Sequence, residues 1–421
     1  MFRKTTLKNG LRIITAPMTG TNTVTVLVLC ETGSDNEPEG KIGISHFLEH
    51  LFFKGTKRRP TPQIVNQELD SMGGFSNAYT WRETTGYYIK VGKIYFEAAL
   101  DILADIYTSA LLKDEEIERE RQVIIEERKM RLDDPSIHYF TVWEELLYGS
   151  QHAGQNVIGA EETIRSLAPE DFRKYFESQY TSKNTIVTVA GSFEESHAIG
   201  EITKHFGAIR EGEPRPRALF HEEQKSPGIK LFFKETDQSH LALGFRGLDI
   251  FDQDRYATDM LAVVLGGGWS SRMYETVREK LGLAYEVHTD THSYTNRGHF
   301  YTYAGVSHTN VEKTIEAVLG EYHRLFESPV TPDELRRAKD LVKGRMLIRL
   351  EASNAVAGFV GEEEALTKQP LTVDEVFAKI EAVSLEDIER VARRIFMSDR
   401  LNLAMIGPFK DEAKLEGLLT L

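Results

Sequence analysis

His46, Glu49 and His50 fall within five residues of one another, and residues of these types at this spacing can hold and use a divalent metal. On a helix, positions i and i+4 share one face, about 5–6 Å apart. Two imidazole nitrogens placed there can take a single zinc ion at Zn–N distances of about 2.0–2.1 Å. Glu49 projects beside the same ion without being needed as a ligand, which suits a general base that acts on water. The order His-x-x-Glu-His is the reverse of the commoner zinc-binding order His-Glu-x-x-His. The flanking Phe47, Leu48, Leu51, Phe52 and Phe53 predict a buried helix, and two buried histidines with a carboxylate need a reason to be there.

A catalytic zinc takes a third protein ligand and keeps one position open. The segment 114–132 reads as a helix in which Ile117, Glu120, Ile124, Glu127 and Arg131 form one stripe, at i, i+3, i+7, i+10 and i+14. Charged groups on a core-facing stripe are costly unless paired or metal-bound. Glu126 lies about 100° round the helix, with Arg119, Gln122 and Val123, so Glu127 is the expected ligand. Glu120, two turns earlier, is placed to orient a ligand histidine.

Strands are expected over 4–16 and 22–31, then a turn-rich loop over 32–40 and the helix that carries His46. A helix over 61–72 starts at Thr61-Pro62 and stops at Gly73-Gly74. Strands follow over 75–91 and an amphipathic helix over 94–110. The stretch 208–228 contains three prolines and two glycines among charges and reads as a linker. It separates an N-terminal metal-binding domain, 1–207, from a C-terminal domain, 229–421. The halves repeat one another. Ser166-Leu167 leads to a strand ending Gly191-Ser192-Phe193, as Ser384-Leu385 leads to one ending Gly407-Pro408-Phe409. Two homologous α+β domains, each a mostly antiparallel sheet packed with helices, are the expected fold. Aligning Glu116 with Glu334 sets Ala338 opposite Glu120 and Arg345 opposite Glu127, and no second His-x-x-Glu-His follows, so one zinc per chain is expected.

The 421 residues suffice for two or three domains, and 41% hydrophobic with 28% charged residues is ordinary globular composition. A net charge of −14 without a basic stripe argues against nucleic acid as a partner. No apolar run reaches about 18 residues, so no membrane span is expected. The single cysteine, Cys30, reads as a buried small hydrophobe. With no signal-like segment before Asn9-Gly10, the expected compartment is the cytoplasm. Two further signals are set aside. His288 and His292 lie in a predicted hairpin, where four residues of strand span about 13 Å. Gly266-Gly267-Gly268 lacks the Lys-Ser/Thr ending of a phosphate loop.

The motif at 46–50, followed after 76 intervening residues by Glu127, resembles the signature of the insulinase/pitrilysin metallopeptidases. The length resembles their half-length form, that of the mitochondrial processing peptidase β-subunit and its bacterial relatives. The resemblance covers roughly residues 3–409. It implies a zinc-dependent endopeptidase in which Glu49 is the base and Glu120 supports the metal ligands. Gly74, Phe75, Ser76, Asn77 and Ala78 match an edge strand along which an extended peptide adds as a further strand. Arg278 and Tyr285 match an Arg-x6-Tyr pair that contacts substrate and supports the transition state. The same resemblance implies a homodimer that encloses a chamber for peptides or unfolded segments, with Arg278 and Tyr285 completing the partner's site. The alternative on this fold is a non-catalytic or heteromeric partner subunit.

Overall fold

Residues 24–29 and 186–190 are β-branched or aliphatic in most positions and fully buried, which predicts strands covered on both faces. In the computed structural model, which describes residues 2–420, these two runs pair antiparallel at the centre of a sheet. In chain order, β1 (Arg3–Thr6), β2 (Arg12–Pro17) and β3 (Thr23–Cys30) lead to helices α1 (Ile44–Leu51) and α2 (Pro62–Ser71). Strands β4 (Phe75–Thr80) and β5 (Thr85–Gly92) follow, then helices α3 (Phe96–Ser109), α4 (Asp114–Asp133) and α5 (Pro135–Tyr148). The first half closes with α6 (Glu161–Ser166), α7 (Pro169–Gln179), β6 (Thr185–Gly191) and α8 (Glu195–Phe206). Residues 207–227 contain no helix or strand.

The second half repeats the plan. It runs through β7 (Gly228–Phe233), β8 (Ser239–Arg246), α9 (Arg255–Gly266), β9 (Ala284–Ser293) and β10 (Gly298–Val306). Helices α10 (Val311–Glu327), α11 (Pro332–Arg349), α12 (Ser353–Thr367), α13 (Val373–Ala382) and α14 (Leu385–Ile395) then precede β11 (Leu401–Gly407). The first sheet has the order β1-β2-β6-β3-β5-β4 and the second β7-β11-β8-β10-β9. Without β1 the two orders correspond strand for strand. Each sheet has a single parallel pair in the same place, β2 with β6 and β7 with β11. The α+β duplication is therefore present in the backbone.

The two compact units are not the two contiguous stretches 1–207 and 229–421. One gathers the chain up to Arg128, Asn156–Ala218 and Leu347–Thr372; the other gathers Lys129–Gln155, Leu219–Met346 and Val373 onward. Helix α12, from the second half of the sequence, covers one face of the first sheet. There Ala357, Val360 and Ala365 pack on Ile14, Leu27, Leu29 and Ile186. Ser353 Oγ lies 2.8 Å from Thr25 Oγ1, and a Cβ on Gly361 would meet Leu29 Cδ1 at 2.8 Å, so the backbones approach closely. Helix α5, from the first half, covers the equivalent face of the second sheet through Tyr139, Val142 and Trp143 against Ala242, Tyr301 and Tyr303. The opposite face of the first sheet holds the larger core, with residues of α1, α3, α7 and α8.

Candidate metal centre

Helix α1 is fixed from its N-terminus. Gly43 takes a left-handed φ of +100°, and a Cβ there would lie 2.2 Å from the Ile158 carbonyl oxygen, so only glycine fits. The buried Glu37 caps the helix, its two carboxylate oxygens accepting the N–H groups of Gly43 and Ser45 at 2.7 and 2.8 Å. Phe47 packs edge-on against Phe172, and Phe52 sits among Tyr87, Tyr107, Phe176 and Tyr180. With its apolar residues anchored in this way, the helix has one polar stripe, which carries His46, Glu49 and His50.

Helix α4 meets that stripe. Ile117 and Ile124 are fully buried in the core, Glu120 is 4% exposed, and Glu126 points to solvent. Glu127 Oε1 lies 3.6 Å from His46 Nε2, and Glu127 Oε2 lies 3.5 Å from His50 Nε2. One ligand atom from each of His46, His50 and Glu127 falls within 4.8 Å of the others. Among the described residues this is the one such group of three or more. His288 and His292 do not form a second.

The chemistry of this donor set fits zinc: two imidazoles and one carboxylate are a protein ligand set that catalytic zinc sites use. Glu120 Oε1 lies 2.9 Å from His50 Nδ1. If that nitrogen carries the proton, the lone pair of Nε2 is left to face Glu127. Burial alone would lower the pKa of His50, but hydrogen bonds to Glu120 and Glu127 and the charge of Glu49 raise it to about 9. The carboxylates that hold a proton so firmly are the groups that would hold a divalent cation. His46 Nδ1, by contrast, is buried without a hydrogen-bond partner, so its tautomer is not fixed by the protein.

Glu49 is buried beside this set but is not among the three ligand groups. Burial raises its carboxyl pKa, and Glu127 adds to the rise; His46, His50 and a 2.6 Å hydrogen bond from Thr80 Oγ1 oppose it. A raised pKa moves the carboxylate toward the working range of a general base. Thr80 ends β4. That strand is the edge of its sheet and, among the described residues, pairs with β5 alone; it contains Phe75, Ser76, Asn77 and Ala78, and Gly74 immediately precedes it. The N–H of Ala78 is covered by the side-chain oxygen of Asn77 at 2.9 Å.

Three contributors escaped sequence reasoning. Lys54 Nζ lies 2.6 Å from Glu120 Oε2, and with His50 it holds the buried Glu120 carboxyl below the usual range although burial opposes this. Its signal was available, since Lys54 is four residues after His50. Thr80 and Glu37 carried none. Arg278 and Tyr285 belong to the second unit. Arg278 sits in the π-helical turn Tyr274–Lys280, with its guanidinium carbon 4.8 Å from the ring centroids of both Tyr274 and Tyr285. Tyr285 is 77% exposed.

Fold and sequence agree on the family. Residues 12–161 match the sequence model of Insulinase (Peptidase family M16), and residues 166–342 match that of the Peptidase M16 inactive domain. An uncharacterized zinc protease of Streptomyces coelicolor is 32% identical over 97% of this chain and 90% of its own length. The uncharacterized zinc protease YmxG of Bacillus subtilis is 34% identical over 97% of this chain and 98% of its own. Among solved structures, a protease from Helicobacter pylori superposes with a TM-score of 0.91 at 26% identity, covering 97% of this chain and 99% of that one. A chain of complex III from Candida albicans shares the fold, with a TM-score of 0.86 at 18% identity and complete coverage of both chains. The chain belongs to the insulinase family of zinc peptidases, M16, in its half-length form. No helix among the described residues is long and apolar enough to cross a membrane.

Proposed function

We propose that this chain is a zinc-dependent endopeptidase that cleaves extended peptides or unfolded segments. The observation that carries the reading is the convergence of His46, His50 and Glu127 with the buried carboxylate of Glu49 beside them. Zinc held by the three ligands would supply Lewis acidity to the scissile carbonyl and to water. The chain's own residues do the rest. Glu49 accepts a proton from water and returns it to the leaving amine, and Thr80 donates to Oε2 to keep that carboxylate oriented. Glu120, braced by Lys54, holds the His50 ring in place. Strand β4 offers backbone groups to an extended substrate, which recognises conformation more than sequence. A substrate strand on that edge would take over the Ala78 N–H from Asn77.

On the same reading the chain works as a homodimer with one zinc per chain, in which Arg278 and Tyr285 serve the site of the opposite copy. Its single cysteine is buried, which suits a reducing cytoplasm. The retained ligand set favours a peptidase over a non-catalytic or heteromeric subunit. Digestion of a mixed peptide pool by wild type and Glu49→Gln, each with and without chelator, tests the reading. Cleavage by the wild type that chelator abolishes, and that Glu49→Gln lacks while keeping zinc, is the expected result. Wild-type protein purified gently without zinc, or cleavage that survives the substitution, would overturn it. Mixing Glu49→Gln chains with Tyr285→Phe chains should restore part of the activity, and no rescue would count against shared sites.

A further inference from the structure

Within the second unit, where β8 ends and β10 begins, four arginines line one cavity of about 250 Å³ together with Glu222, Asp249 and Asp252. Their charges are not evenly matched. Arg394 is committed to Asp252 at 2.6 Å and Asp254 at 3.2 Å. Arg400 makes no hydrogen bond or ion pair with its side chain among the described residues. Arg297 is 5% exposed and held against the rings of Tyr148 and Tyr294, at 5.2 and 4.3 Å.

Arg246 is the most constrained of the four. Its side chain is nine-tenths buried, with the guanidinium carbon 4.9 Å from the Tyr148 ring centroid and 5.6 Å from that of Phe220. Nε donates to Gln224 Oε1 at 3.1 Å, and Nη2 donates to the Leu147 carbonyl. The nearest carboxylate, Glu222, stays 3.6 Å away on a half-exposed side chain, and Nη1 is buried without an acceptor. Burial and the like charge of Arg400 both pull the Arg246 pKa down. A buried guanidinium with an idle N–H and only one loose, half-exposed counter-ion is costly, and such a group is completed by an anion.

We propose that this cavity binds a phosphate group, either inorganic phosphate or the phosphate of a small phosphomonoester. Ring stacking fixes the planes of Arg246 and Arg297, so little side-chain entropy remains to be lost when an oxyanion arrives. Guanidinium groups from β8, the β9–β10 turn and the segment before β11 approach a common volume from different sides. That geometry suits a tetrahedral dianion better than a flat, singly charged carboxylate. The volume, about 250 Å³, is below that of drug-sized sites and suits a phosphate or a small phosphomonoester. Glu222 and Asp249 at the wall would accept from the hydroxyls of an ester's alcohol portion. With a net charge of −14, the chain as a whole repels anions, so attraction here must come from the local cluster.

The test is calorimetric titration of the intact protein with inorganic phosphate and with glycerol 3-phosphate at constant ionic strength, using acetate and chloride as controls. One saturable site per chain that chelator treatment leaves in place is expected. Arg400→Gln should weaken it about tenfold, equivalent to about 1.4 kcal/mol, and Arg246→Lys should abolish it. Tighter binding of glycerol 3-phosphate than of phosphate would assign an ester as ligand, and the reverse would assign the free ion. Absence of saturable binding, loss of binding with chelator, equal competition by acetate, or an Arg400→Gln protein that binds as wild type would each overturn the proposal. Arg400 is exposed and uncommitted, so its variant remains informative if Arg246→Lys fails to fold.

Discussion

Helices α4 and α11 hold the same place in the order of their units, yet they do different work. Helix α4 presents Glu120 and Glu127 to two histidines. At the matching positions α11 carries Ala338, which is buried, and Arg345, which donates to the Gly267 carbonyl at 2.7 Å. One turn earlier the emphasis reverses. Glu116 makes an i,i+3 pair with the mostly exposed Arg119, whereas Glu334 receives both Nε and Nη2 of the buried Arg272, at 2.7 and 3.0 Å. The second unit thus ties its helix to Arg272, in the adjoining helical turn, with an ion pair, where the first turns two carboxylates toward a pair of histidines. Helix α9, which follows β8 as α1 follows β3, contains no histidine. The scaffold therefore does not require the metal residues. Substitutions at them should remove function without unfolding the chain.

The strongest way to break this comparison is to exchange the two roles. His50→Ala or Glu127→Gln should lose zinc and bring peptide cleavage to background while the circular dichroism spectrum stays native. Arg345→Ala should change neither zinc content nor cleavage. A zinc-loaded Glu127→Gln protein would show that α4 is as uninvolved as α11. A smaller effect is expected at Glu120, which touches His50 and on the proposed reading supports that ligand without being one. Glu120→Gln should weaken zinc affinity about 10–100-fold in a chelator competition. Ala338→Glu should leave the stoichiometry at one ion per chain, because a carboxylate without imidazoles does not make a zinc site.

How much of this was legible in the sequence depended on how far each contact reaches. His46, Glu49 and His50 are fixed by one helical turn, so residue type and spacing revealed them. Glu127 rather than Glu126 followed from the stripe shared with Ile117 and Ile124, because burial of the isoleucines sets the direction of the helix. Strand and helix limits fell within a few residues of expectation for the same local reasons. Thr80 reaches Glu49 from a strand edge, and Glu37 reaches back to cap α1. Neither contact leaves a periodic trace. The exchange of α5 and α12 was hidden as well. An apolar face such as Ala357, Val360 and Ala365 announces burial, but it does not say which of two similar sheets it will cover. The proline-rich segment 208–228 marks where the chain crosses between halves and carries no information about helices elsewhere. Arg246, Arg297 and Arg400 come from three separated segments, and only the folded second sheet brings them to one cavity.

Thr80 sharpens the comparison at the base. Thr80→Val removes the hydrogen bond to Glu49 Oε2 while keeping size and β-propensity. One such bond to a charged group, worth about 1.4 kcal/mol, predicts a kcat about tenfold lower with KM nearly unchanged. An unchanged kcat would mean that Glu49 is oriented without β4.

The smallest expected effect separates the two helices by stability alone. Glu334 has a carboxyl pKa held down to about 2, against an ordinary 4.5. Burial opposes the shift, and hydrogen bonds from Arg272 and from Thr331 outweigh it. A carboxyl depressed in the folded state stabilises the fold fully above its unfolded pKa, and that contribution is lost as pH falls through the folded value. Glu334→Gln should therefore cost about 1 kcal/mol at pH 7, discounted for partial solvent exposure of the pair. The deficit relative to wild type should hold down to about pH 4.5 and shrink as pH falls toward 2, where both proteins carry a neutral side chain. Glu116→Gln should cost under about 0.5 kcal/mol at pH 7, as i,i+3 helix pairs do. Neither substitution should alter zinc content. Denaturant midpoints at pH 7, 4.5 and 3 decide the point. Equal deficits at all three for Glu334→Gln, or a larger one for Glu116→Gln, would remove the ion pair as what anchors α11 in place of a metal.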